Sequence, residues 1–173
     1  RTGASVAHNP MSNLKLASGI ARVPDMLAAG VRVTVGTDGA ISGNDLDMWM
    51  ALRLAATLHR GARLDATAVT TGQALRMVTL DGAAALGTED RLGSLEVGKL
   101  ADMILLDVAR PHAVQLFDTA THVVFSTAKS DVRHVFVGGR QVVRDGALLG
   151  VDTAAVLAEV AALTPRIAAS LAG

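Results

Sequence analysis

Residues 31–39 read Val-Arg-Val-Thr-Val-Gly-Thr-Asp-Gly, an alternating β-branched run that ends on a carboxylate, Asp38. An acid at the carboxyl end of a strand is placed to bind a cation or carry a proton. In parallel α/β architectures the loops at those ends converge on a crevice or barrel mouth. Asp-Gly is also a tight-hairpin signal. The downstream residues argue against a hairpin: 41–45 are a polar, Gly-containing loop, and 45–60 carry helical rather than strand periodicity.

A second candidate, His8, ends a short apolar run at 3–8, thirty positions before Asp38, and could reach the same rim. Ser12 and Asn13 follow in a loop rich in Pro, Ser, Asn and Gly. They could line a pocket there, although both are ordinary loop formers. With no cysteine in the chain, any metal must be held by His and carboxylate. His59, His112, His122 and His134 show no metal-ligand spacing with one another. His59 falls near a helix end, where a cation is favourable. Gly93, Gly98, Gly138 and Gly139 are turn residues, since none lies in a strand-to-helix loop with nucleotide-binding spacing.

The elements that must position these residues alternate. Strand 3–8 is followed by a loop over 9–19, a helix from Pro24 stopped by Gly30, and strand 31–36. A helix over about 45–60 has Asn44 or Asp45 as its cap, Gly61 beyond its end, and Leu46, Trp49, Met50, Leu54 and Leu58 on or near one face. Met48, Trp49 and Met50 read as core, Asp47 as part of the helix start, and Arg53 as half of a structural ion pair. A helical stretch at 70–86 is interrupted at Asp81-Gly82. Turn-rich residues 92–99 lead to strand 101–107, a possible helix at 118–128, and two strands in 132–144 hinged on Gly138-Gly139. A helical tail at 153–171 is kinked or restarted by Pro165. The expected organisation is a βα part over 1–90, a mainly small β part over 91–147 with an intervening helix, and a helical tail over 148–173.

Sixteen basic and sixteen acidic residues cancel across 173, leaving no electrostatic footprint for nucleic acid or an anionic membrane. Secretory-signal features are absent, and no apolar run is expected to approach the roughly 20 residues that span a bilayer. The expectation is a soluble, cytoplasmic protein with small molecules or other subunits as partners. Its start at Arg1, close to an apolar run, reads as an entry in mid-fold.

His8-Asn9-Pro10-Met11-Ser12-Asn13-Leu14-Lys15-Leu16-Ala17-Ser18-Gly19, Gly36-Thr37-Asp38-Gly39 and Asn44-Asp45-Leu46-Asp47-Met48, in this order, closely resemble the amidohydrolase superfamily. The likeness is greatest to its methylthioadenosine and S-adenosylhomocysteine deaminases, with chlorohydrolases and guanine deaminases nearby. Met77 to Gly87, Leu92 to Asp107 and Ser130 to Val135 extend it over nearly the whole chain. The resemblance implies the C-terminal part of a distorted (β/α)8 (TIM) barrel plus a small β-sandwich-like domain. Residues 3–8 would be the seventh barrel strand and 31–36 the eighth.

It further implies a metal-dependent hydrolase that deaminates an aminopurine, nucleoside or related heterocycle. Asp38 would be both a ligand of one divalent ion, Zn²⁺ or another such as Fe²⁺, and a proton carrier. An ion of that kind lowers the pKa of bound water from about 16 toward 7. His8, Ser12 and Asn13 would contact substrate or support the site. The remaining ligands, a His-x-His pair, two further His and a catalytic Glu, would lie in an upstream barrel segment, and a homo-oligomer is expected. Triazine or guanine-type hydrolysis keeps the same fold, whereas a noncatalytic subunit completing a partner's barrel is the alternative of another class. Two departures from relatives stand out: Ala51 where an acid is common, leaving Arg53 without its usual partner, and Gly43 where Asn is common.

Overall fold

The computed structural model describes residues 3–171. Strands β1 (Ser5–His8) and β2 (Arg32–Val35) pair in parallel, with Ser5 opposite Arg32 and His8 opposite Val35. Between them run α1 (Pro10–Lys15) and α2 (Val23–Ala28). After β2 come α3 (Ala40–Gly43), α4 (Met48–Arg63), α5 (Thr71–Val78) and α6 (Leu80–Ala85). Val33 and Val35 alternate with half-buried Thr34, so one face of the strand pair is sealed by helices. The core there is Val23, Val33, Val35, Ala51, Leu52, Ala55, Ala56, Val69, Ala74, Met77 and Val124. Each fully buried valine contributes about 1.5–3 kcal/mol.

Several local expectations change. The loop over 9–19 contains α1, because Pro10 supplies a preset φ at the first turn, where its missing N–H costs nothing. The loop before α4 contains α3, closed by Asn44 in the left-handed region at φ 58°. The cap of α4 is Asp47, which accepts from Trp49 N at 2.8 Å and Met50 N at 3.3 Å, rather than Asn44 or Asp45. Gly61 lies inside α4, and Leu64, at φ 54°, ends it. The buried stripe of α4 is Ala51, Leu52, Ala55, Ala56 and His59, whereas Leu46, Met48 and Met50 are exposed. Small alanines let the helix approach the strands closely, which decides the face. The break in the 70–86 stretch falls at Thr79, not at Asp81-Gly82.

Strands β3 (Met103–Leu106), β4 (Val132–Val137), β5 (Arg140–Arg144) and β6 (Ala147–Leu148) form an antiparallel sheet in sequence order. Helix α7 (Thr119–Phe125) sits between β3 and β4 in sequence and packs on α4 and α5. Buried Asp131 ties the entry to β4, accepting from Ala128 N at 2.8 Å and pairing with His112 Nε2 at 2.9 Å. Arg53 has no acid opposite it among the described residues. Its Nη2 donates to Thr127 O at 2.8 Å and its Nε to Val124 O at 3.5 Å, so the guanidinium caps the end of α7 in place of the expected ion pair.

Helix α8 (Thr153–Leu171) is one element with Pro165 inside it, exposed along its length. An 18-residue window of this 19-residue helix has a mean hydropathy of 1.4, and the helix satisfies the length and composition of a bilayer span, which corrects the expectation that no apolar run approaches it. Glu159, Arg166 and Pro165 interrupt that apolar character.

Candidate functional site

Asp38 stands three residues beyond β2, exposed, with φ 60°. A left-handed conformation is uncommon for a residue with a Cβ, and Asp is among the types that tolerate it. Ser12 Oγ donates to Asp38 Oδ2 at 2.7 Å, and Gly39 N donates to Oδ1 at 2.7 Å. These donors hold the carboxyl below its usual pKa: the Ser12 hydroxyl contributes most, then the Gly39 N–H, then the Ser42 hydroxyl. Ser42 Oγ itself donates to Gly39 O at 3.0 Å. The result is an anion at neutral pH, oriented by neutral groups on both oxygens.

The frame around Asp38 is built from α1 and α3. Lys15 Nζ donates to Ile41 O at 2.8 Å and links the two helices. Gly36 makes room at the strand end: a Cβ there would lie 2.5 Å from Asn9 Oδ1, so a side chain would push the Asn9 amide aside. Asn13, half-buried on α1, accepts from Ser18 N at 2.9 Å through its backbone carbonyl and closes the segment after the helix.

His8 does not join Asp38. Its register with Val35 turns it toward the helix layer, where it is 2% exposed and faces His59 of α4. The two Nε2 atoms are 3.4 Å apart and the ring centroids 5.2 Å apart. Burial, reinforced by the neighbouring His59, pushes His8 down to about 4. His59 is lowered as well, by burial and then by Arg63. Both rings are neutral at pH 7, and one Nε2–H can serve the pair. His8 Nδ1 is buried with no hydrogen-bond partner among the described residues. The expectation of a favourable cation at His59 is therefore replaced by a desolvated neutral ring. The His59 contact could not be read from the sequence, because the pair is 51 residues apart.

Ser5, Ala7 and Thr34 point to the opposite side of the strand pair, into an open groove of about 840 Å³ also lined by Gly82 and Met103. Asp38 does not line it. Among the described residues no three His, Asp or Glu side chains converge as a metal cluster. Asp38 is thus a single well-prepared carboxylate, not a complete metal centre.

The amidohydrolase family model matches residues 1–142. A 5-methylthioadenosine/S-adenosylhomocysteine deaminase of Desulforudis audaxviator is 48% identical over 171 residues, covering 99% of this chain and 40% of that protein. A zinc-bound adenosine deaminase structure from Xanthomonas campestris superposes with a TM-score of 0.93 at 39% identity, over 95% of this chain and 38% of that one. A zinc complex of an atrazine chlorohydrolase from Arthrobacter aurescens gives 0.86 at 29% identity, over 93% and 36%. The chain thus spans about two fifths of the length of these relatives. With a family match over most of its residues and a mixed α/β fold shared with these structures, the chain belongs to the amidohydrolase family.

Proposed function

We propose that this chain is the C-terminal part of a metal-dependent deaminase acting on adenosine-type compounds, and that Asp38 is its metal-binding and proton-carrying carboxylate. The observation that carries the reading is Asp38 itself: an anion just beyond the end of a parallel strand, in a left-handed backbone, with Ser12 and Gly39 donating to its two carboxylate oxygens. In this reading β1 and β2 are adjacent strands of a (β/α)8 barrel whose other strands come from an upstream segment. Residues 3–90 then form barrel, 91–147 a small β domain with an intervening helix, and 148–171 a helical tail; residues 1–2 and 172–173 of the expected divisions lie outside the described residues.

A carboxylate fits a divalent ion by charge and by its oxygen donors. Zinc is the ion bound in the similar adenosine deaminase structure. Such an ion, when bound, supplies Lewis-acid activation of water. Asp38 supplies an oriented anion that takes a proton as water adds to the ring carbon and returns it to the departing nitrogen. Its lowered pKa keeps it deprotonated and ready to accept. Ser12 and Gly39 keep its two oxygens in place.

Relatives named for adenosine-type substrates reach 48% identity, against 29% for the chlorohydrolase, which favours an aminopurine nucleoside over a triazine. The test is ammonia release from 5-methylthioadenosine, S-adenosylhomocysteine and guanine, and chloride release from atrazine, by the polypeptide carrying the whole barrel. Turnover of the first two is expected, with Asp38→Ala lowering it at least about 10³-fold. Near-normal turnover and retained metal in that variant would remove Asp38 from the mechanism. This chain alone, given zinc, is expected to be inactive; turnover by it without a partner would overturn the need for an upstream segment.

A further inference from the structure

We infer that Ser12 is the positioning residue of Asp38 and not a substrate contact: its buried hydroxyl commits its one proton to Asp38 Oδ2 and fixes the direction in which the carboxylate faces. This rests on the reading of Asp38 as a metal ligand. Ser12 is 5% exposed, although the carboxylate it touches is exposed. A serine hydroxyl has one donor proton, and at 2.7 Å from Oδ2 that proton is spent. A substrate would find neither a free donor nor an accessible surface at this side chain.

The support is rigid from the other side too. Ser12 O accepts from Leu16 N at 2.9 Å within the last turn of α1, and Lys15 of the same helix is bonded to Ile41 O of α3. Asp38 lies between these helices in sequence and is bonded to the first of them, so Ser12 transmits the α1–α3 frame to the carboxylate. Its second donor, Gly39 N, belongs to the adjacent residue and moves with Asp38. Ser12, by contrast, is 26 residues away and anchors the carboxylate to a different element. Both donors are neutral, so the full negative charge remains for a cation while the carboxylate rotation is restricted.

The test uses the metal-loaded protein with its complete barrel, in wild-type, Ser12→Ala, Ser12→Thr and Asp38→Ala forms. Zn²⁺ affinity is read by competition with a chromophoric chelator, and kcat and KM are read separately. Ser12→Ala should lower Zn²⁺ affinity about 10- to 100-fold, the usual effect of losing an outer partner of a ligand. It should lower kcat while leaving KM within about twofold. Ser12→Thr, which keeps the hydroxyl, should recover much of both losses. A raised KM with unchanged Zn²⁺ affinity in Ser12→Ala would make Ser12 a substrate contact and overturn the inference. Wild-type metal affinity and kcat in Ser12→Ala, with Zn²⁺ lost in Asp38→Ala, would overturn this inference alone. Retention of Zn²⁺ by Asp38→Ala would instead overturn the reading of Asp38 beneath it.

Discussion

Two titratable groups sit at the ends of adjacent strands, and the protein treats them in opposite ways. Asp38, beyond β2, faces solvent at the rim of the strand pair and is surrounded by donors. His8, ending β1, faces the helix layer and meets another imidazole in a nearly dry setting. Both pKa values move down, yet the outcomes differ in charge: lowering an acid preserves an anion, whereas lowering a base preserves a neutral ring. The strand end keeps an exposed anion, and the layer behind it keeps a neutral pair of rings. Asp38→Asn, which tolerates the left-handed backbone and keeps an acceptor for Ser12, should accordingly cost activity with little loss of fold stability. A large drop in unfolding midpoint for that variant would break the contrast.

The buried pair sharpens the contrast through pH. Below 6.5 the unfolded chain takes up protons on its histidines, while folded His8 resists protonation until about 4. Between those values the unfolded state binds more protons, so stability rises with pH there and is lost as pH falls. For His8 alone the full loss is on the order of 3 kcal/mol, and His59, also lowered, adds in the same direction. The groups nearby do not reverse this: Arg63 opposes protonation of His59 and is itself paired with Asp25. Urea unfolding at pH 7 and about pH 4.5 should show the decline, and His8→Leu should flatten it. An equally steep decline in His8→Leu would place the acid sensitivity elsewhere.

A smaller effect is expected at Arg53. Its guanidinium supplies donors to Val124 O and Thr127 O, carbonyls at the end of α7. Arg53→Ala should destabilise by about 1–3 kcal/mol, the penalty for leaving partly buried acceptors unpaired. Zn²⁺ affinity in the complete protein should be nearly unchanged, since Arg53 belongs to the helix layer and not to the rim. A loss of metal without a loss of stability would merge the two regions that the structure separates.

What the sequence made legible was the chemistry that local patterns encode. The alternation over Val31 to Val35 and the acid after it located β2 and Asp38, since strand period and strand ends are written in adjacent residues. The resemblance in residue order then supplied the family. The partners of those residues were not legible. Ser12 meets Asp38 across 26 positions and His59 meets His8 across 51, and no short-range pattern encodes either contact. Helix α1 was hidden because Pro, Ser and Asn serve both loops and first helical turns. The buried stripe of α4 was misassigned because hydrophobicity favoured Trp49, Met50, Leu54 and Leu58, whereas close approach favoured Ala51, Ala55 and Ala56.

The smallest expected effect bears on the helix that stands between the two regions. Asp38 lies in the segment leading into α4, and His59 lies in its body, so the start of that helix relates one region to the other. The sequence offered Asn44, Asp45 and Asp47 near this start. Both acids pair with Lys129 Nζ, Asp45 at 3.2 Å and Asp47 at 3.5 Å, but only Asp47 also accepts from Trp49 N and Met50 N, while Asp45 lies outside the helix. Asp47→Ala should therefore cost about 1 kcal/mol, the usual loss of a side-chain N-cap. Asp45→Ala removes an exposed ion pair and should cost at most about 0.5 kcal/mol. Urea midpoints of the two variants at neutral pH separate these outcomes. Equal losses would mean that α4 gains little from its cap and is held by its alanine stripe and the His8–His59 contact, which would make the neutral layer, not the helix start, the element that fixes where the rim begins.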